Sequence, residues 1–264
     1  MTTLFDATLA LAKVIGNVRS STTTAAGSAT TVIDSTRTEA ADYWNGGTLW
    51  ATSGAKSGTS RKITDWDLST FTFAIPTTTN AIGSGASYSV LYGEWPQDKL
   101  IEFINLALQE HCKVLASDIT TVTVANQESY TLPTGVSNVK RVELALNSTT
   151  PYSYAPHFGW RELGDGTIKF DTGTEPDASG HILRLWYEAP HAVLTADTDV
   201  VSVYINPERL KWEAAVNAWQ WRIARAGQDR PEYGQQLTFA LAQAQQMRQR
   251  YPTKFFAKDP RLTL

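Results

Sequence analysis

The sequence predicts an α+β protein: an antiparallel helical bundle carrying an inserted small β-barrel or sandwich and a second excursion built as a β-meander. Three observations predict it. Apolar residues recur at helical spacing in four segments, at about 3–15, 95–116, 206–226 and 231–250. Residues 17–93 break into short runs rich in β-branched and aromatic residues, separated by glycine-containing turns. After the second helix, ITTVTVANQESYTLPTGVSNVKRVELAL alternates with period two and breaks twice. The expected organisation is therefore a helical core of residues 1–16 and 94–250, with the meander at 117–204. An inserted β domain occupies 17–93, and an extended arm runs over 251–264.

In chain order, Leu4, Thr8, Leu11 and Ile15 mark the first helix, which stops before Gly16. A helix this short needs a packing partner to be stable. Eleven of the twenty residues from 20 to 39 are Ser or Thr, a composition that suggests a linker. The runs SATTVIDS, GTLWATS, RKITDWD, TFTFAIP and ASYSVLY argue instead for a folded β segment, with residues 25–27 as its candidate for mobility. Its turns fall at Asn45-Gly46-Gly47, at residues 53–58 and at residues 82–85.

The next stretch, WPQDKLIEFINLALQEHCKVLASD, places Pro96 where a first helical turn tolerates a missing N–H. Leu100, Ile104, Ala107, Leu108 and Leu115 share one face, while Asp98, Glu102, Asn105 and Gln109 share the other. The meander that follows turns at Ala125-Asn126-Gln127 and at Pro133-Thr134-Gly135. Residues 147–177 are loop-rich, with Tyr152, Tyr154, Phe158 and Trp160 expected to anchor them, and 167–170 and 181–187 read as further strands. Asn206 is an N-cap candidate, Pro207 takes the first helical position and Glu208 adds negative charge to the first turn. Trp212, Ala215, Val216, Trp219 and Ile223 form a stripe, with Gly227 closing that helix. The last helix opens near Asp229 and Pro231 and carries Tyr233, Leu237, Ala240, Leu241, Ala244 and Met247 on one side. A short link between two such helices predicts antiparallel packing.

The chain has 264 residues, is 42% hydrophobic and 19% charged, and reads as an ordinary globular protein. The first residues lack a basic stretch and a cleavage site, so no signal peptide is expected, and no apolar run approaches a membrane span. Cys112 is the single cysteine, which excludes an intrachain disulfide. The net charge of −3 is unevenly spread. Residues 205–264 hold ten basic against five acidic residues, +5, which leaves −8 for the rest. Such a split suits surfaces of opposite sign that meet between subunits or face different partners.

No catalytic constellation, cofactor motif or metal-ligand spacing emerges, and a non-enzymatic role is expected. The pieces GSGAS and SGAKSGTS lack the ending that a phosphate loop requires. His111, His157, His181 and His191 show no zinc spacing, and His111 reads as a satisfied core side chain. Asp197-Thr198-Asp199 reads as a turn with local side-chain bonds rather than a calcium loop, because further oxygen ligands are missing. Nine tryptophans include Trp44, Trp50 and Trp66 in the β segment, where exposed rings could stack on sugars or bases. Trp50 and Trp66 lie within strand runs, where an inward, core-filling position is the default. The alternative class that the segment leaves open is a carbohydrate-binding or host-recognition module.

Taken together, DKLIEFINLALQE, TVTVANQESYTLPTGVSNVKRVEL, LRLWYEAP and DTDVVSVYINPERLKWEAAVNAWQWRIARAG, followed by the last helix, form an order that resembles the head-to-tail connector adaptors of tailed bacteriophages. The resemblance covers 95 to about 251, and the 17–93 insertion departs from the minimal adaptor. It implies a structural virion protein at the head–tail neck, with the portal protein and a tail or nozzle protein as partners. It also implies a homo-oligomeric ring, commonly twelvefold, that encloses DNA without specific binding, and assembly in the host cytoplasm. Arms of this kind reach into the portal. Here the arm offers Lys254, Phe255, Phe256, Lys258, Arg261 and Leu264 as the expected portal or subunit interface.

Overall fold

The computed structural model describes residues 1–226 and 230–252. The chain divides into two compact units, Met1–Cys112 with Ala192–Pro252, and Lys113–His191.

In the first unit, α1 (Leu4–Ile15) is held at its start by a capping box between Thr3 and Asp6, a Thr-x-x-acid pattern that satisfies two backbone N–H groups reciprocally. Seven strands follow: β1 (Arg19–Thr22), β2 (Thr31–Ile33), β3 (Thr48–Ala51), β4 (Thr59–Lys62), β5 (Asp65–Asp67), β6 (Thr72–Ala74) and β7 (Ser87–Leu91). They form two open antiparallel sheets, ordered β1-β7-β3-β4 and β2-β6-β5. One core fills the space between them, built from Val32, Leu49, Ile63, Trp66, Phe73, Tyr88 and Val90 with Trp44. All four residues of β3 are buried because both of its faces are covered. Leu49 and Ala51 enter that core, whereas the Trp50 indole N–H donates to Thr8 Oγ1 of α1 at 3.2 Å. Where the backbone before β3 passes the end of β7, a Cβ on Gly47 would stand 2.1 Å from the Leu91 carbonyl oxygen. One on Gly93 would stand 2.2 Å from that of Asn45, so only glycine permits this approach.

Three further helices complete the unit: α2 (Gln97–His111), α3 (Pro207–Ala226) and α4 (Pro231–Arg250). Asn206 caps α3, its Oδ1 accepting from the N–H groups of Glu208 at 2.9 Å and Arg209 at 3.3 Å. α3 packs against α1, α2 and α4.

The second unit holds β8 (Lys113–Val122), β9 (Ser129–Thr131), β10 (Val139–Ala145), β11 (Tyr154–His157), β12 (Trp160–Leu163), β13 (Thr167–Phe170) and β14 (Ile182–Pro190). Its sheets are ordered β11-β10-β14-β8 and β12-β13-β9. Tyr130, Val142, Ile168, Phe170, Leu183 and Leu185 form their common core. The turns expected at Asn126 and Gly135 are present, both with positive φ.

The expected fold class, a helical bundle with a small barrel and a meander excursion, is corrected. Among the described residues the architecture is dominated by fourteen strands in four open antiparallel sheets, with four α-helices and no closed barrel. An apolar stripe shows that a helix face is buried but not what buries it. Here α1 meets β3, and α2 meets β4 through Gln97 Nε2, which donates to Ser60 Oγ at 2.7 Å. The helix expected over 95–116 also ends earlier, at His111, and the β-branched run from Lys113 enters β8 instead.

Candidate functional site

Glu213 of α3 has no solvent exposure, yet it bears a carboxylate at the meeting point of three helices. Arg248 of α4 donates from Nε to Oε1 and from Nη2 to Oε2, both at 2.6 Å. Two parallel bonds of this kind match the guanidinium fork to the carboxylate. His111, at the end of α2, lies 3.9 Å from the same carboxylate, and Arg209 lies 3.7 Å from it. Arg209 also donates to the carbonyls of His111 at 2.6 Å and Tyr251 at 3.3 Å. One cation near the start of α3 thus serves the carbonyl-bearing ends of α2 and α4, where positive charge is favoured. Hydrogen bonding to Glu213 raises the Arg248 pKa further. Beside this cluster Cys112 is buried, and the loss of hydration pushes its thiol up to about 11.

An aromatic group fixes the other end of the same helices. Trp95 and Trp219 meet edge to face with ring centres 5.3 Å apart, and Trp219 continues onto Tyr233 of α4 at 5.8 Å. Phe103 of α2 meets Trp221 at 5.7 Å. Arg222 reaches Glu94 at 2.6 Å and donates to the Tyr233 hydroxyl at 3.2 Å. With charge at one end and rings at the other, α3 and α4 are held in one register.

In the β region, Asp34 is wholly buried and accepts from Ser21 at 2.6 Å, Thr36 at 2.6 Å and Tyr88 at 2.5 Å. Burial by itself would raise this carboxyl, but the hydrogen bonds outweigh it and hold the pKa below the usual carboxylate value. Burial, with the bond to Asp34, pushes the Tyr88 phenol well up.

The residues singled out from sequence fare differently. Lys254, Phe255, Phe256, Lys258, Arg261 and Leu264 lie outside the described residues. Trp44, Trp50 and Trp66 are 1%, 0% and 1% exposed, so the inward reading of Trp50 and Trp66 holds and sugar stacking by these three rings is overturned. The Asp197–Asp199 segment is a locally bonded loop. Asp199 Oδ2 accepts from the N–H groups of Thr195 and Ala196, while Asp197 accepts from Ser60 N at 2.9 Å. His111 is not a core side chain, because its ring is 32% exposed at the end of α2. Glu213 went unnoticed in the sequence, although an acid in line with the apolar stripe of a helix was the available signal. Among the described residues, no group of three His, Cys, Asp or Glu side chains is placed to hold a metal ion. None of their helices is long and apolar enough to cross a membrane.

What remains for interaction is surface. Exposed apolar side chains include Phe239 and Leu241 on α4, and Val193, Val200 and Val203 on the loop before α3. A shallow groove on α4 is lined by Pro231, Gly234, Gln235, Thr238, Phe239 and Ala242. The chain belongs to the SU10 adaptor protein family, whose model matches residues 67–255, more than half of its length. The match runs from β5 through the end of α4. It bears out the resemblance to phage head-to-tail adaptors and identifies a structural adaptor of a bacteriophage virion, acting with other virion components. Comparison with curated proteins gives no match.

Proposed function

We propose that this chain forms a ring that joins the capsid portal to the tail machinery and surrounds the path of the DNA. The single observation that carries the proposal is the adaptor-family match over residues 67–255. The rigid coupling of α2, α3 and α4 through Glu213 supports it, because a ring subunit under load needs helices that do not slide. The uneven charge, −8 before residue 205 and +5 after it, supports a subunit with faces of opposite sign. In this reading the channel wall is net negative, so DNA slides past it without adhering, since a basic wall would hold phosphates. The basic C-terminal part then engages the portal and the neighbouring subunit, with Lys254, Phe255, Phe256, Lys258, Arg261 and Leu264 at the contact.

The test is electron microscopy of the purified chain mixed with the portal of the same phage. A ring with an open centre, seated on the portal, is the expected image. Single subunits scattered beside intact portals would overturn the reading. Tight duplex binding by the isolated chain at physiological salt would overturn the acidic wall.

A further inference from the structure

The outer face of α4 is unusual for an exposed helix. Over the fifteen residues from Tyr233 to Met247 it carries no charged side chain. Only Ala240, Ala244 and Met247 of the helix are buried, so that neutrality is not explained by burial within the chain. Its groove residues recur at steps of three and four, and the exposed Gln245, Gln246 and Gln249 extend the same stripe. Phe239 is 53% exposed at the centre of the groove, between the small residues Gly234 and Ala242. Depletion of charge around an aromatic centre is the composition of the buried middle of a protein–protein contact. The charges lie at the ends: Arg230 and Arg250 are exposed there, and residues 230–250 sum to +2.

The complementary surface lies on α2. Its exposed residues include Asp98, Glu102 and Glu110, and with Lys99 the helix sums to −2. Asp98 and Glu102 are four apart and so stand on one face. The positions of α2 and α4 around α3 decide what the two surfaces can meet. Asn217 and Trp221 of α3 contact Phe103 of α2, whereas Trp212 contacts Phe239 of α4. At 100° per residue, those positions stand roughly 140–180° apart on α3. α2 and α4 therefore flank α3 on different sides, converging only where Glu213 is reached from both, and the acidic and the neutral-to-basic surfaces are separate patches.

We propose that the α4 face of one copy docks against the acidic α2 face of the next copy. Two different patches on opposite flanks make a head-to-tail contact, which repeats until rotation closes it into a ring. This rests on the ring reading above and names the surface that closes it. The complementary signs steer the approach, and the uncharged α4 stripe forms the dry centre.

The experiment uses the full chain and reads its mass by light scattering, alone and on portals. Ala242→Glu places a negative charge in the groove and touches no internal core, and Phe239→Glu serves as a second α4 variant. Glu102→Lys combined with Glu110→Lys reverses the α2 surface. The expected result is that each variant alone loses the ring, its assembled fraction dropping at least ~10-fold, while its melting curve stays like that of the unsubstituted chain. Mixing Ala242→Glu with the α2 double variant should give a one-to-one pair, since each still carries one intact flank. Rings that persist in the α4 variants, or no pair on mixing while the unsubstituted chain forms rings, overturn this docking and leave the adaptor reading standing. If the unsubstituted chain stays single even on portals, the ring reading falls and this inference falls with it.

Discussion

Arg248 and Glu213 are joined by two 2.6 Å bonds across the α3–α4 contact, with the carboxylate wholly buried and the guanidinium half exposed. Removing the cation leaves a buried charge with Arg209 at 3.7 Å and His111 at 3.9 Å as its remaining cationic neighbours among the described residues. Arg248→Met should lower stability by about 3 kcal/mol, the low end for such a loss because Arg248 already meets water. Urea unfolding measures it, and adding Glu213→Gln should recover part of the loss. A double variant no more stable than Arg248→Met would show that the uncompensated charge is not the cause.

Trp219 is 8% exposed between Trp95 and Tyr233. Trp219→Ala should cost about 3–5 kcal/mol, through lost burial and the cavity left behind. A loss below about 1 kcal/mol would mean that the ring contributes little to the α3 contacts.

Asp34 has a carboxyl held below its usual value, so the folded state binds that proton less readily than the unfolded chain does. Its contribution is complete above the unfolded pKa, about 3.9, and is lost as pH falls through the lower folded value. Acid unfolding followed by fluorescence should show a shallower acid limb in Asp34→Asn than in the parent. Parallel limbs in the two proteins would remove Asp34 as a source of acid sensitivity.

Cys112 is 1% exposed with its thiol raised to about 11. At pH 8 its thiolate fraction is on the order of 10²-fold below that of a free cysteine. Native protein should therefore label with a thiol reagent at least that much more slowly than protein in denaturant. Equal rates would place the thiol at the surface.

Deleting residues 253–264 should leave the melting temperature within a degree or two while abolishing attachment to the portal. Phe255 and Phe256 are adjacent and, on an extended strand, point to opposite sides, so both are covered only by a groove or by two chains. Pro260 adds stiffness that limits the entropy lost on docking. Unchanged portal affinity in the truncated chain would free the arm from this role.

By itself the sequence determined the local structure. Pro207 and Pro231 open α3 and α4, Asn206 caps α3, and Asn126 and Gly135 turn the chain where expected. These follow from φ restrictions and hydrogen bonds within a few residues, which a short stretch specifies completely. The order of the elements also carried the adaptor resemblance. Only the tertiary structure decided what covers each apolar stripe, because periodicity reports a buried face without naming the partner. Glu213 meets Arg248 thirty-five positions away, and Ser60 meets Asp197 across 137 positions. No local pattern encodes such pairs. The same reason explains the misread fold class: the helices do pack on one another, but short β runs could not reveal that they pair into four open sheets rather than a small barrel beside a bundle. It also explains why the uncharged α4 face was hidden: which side of the helix α3 covers, and so that Phe239 is left in water, is set by packing and not by the local sequence.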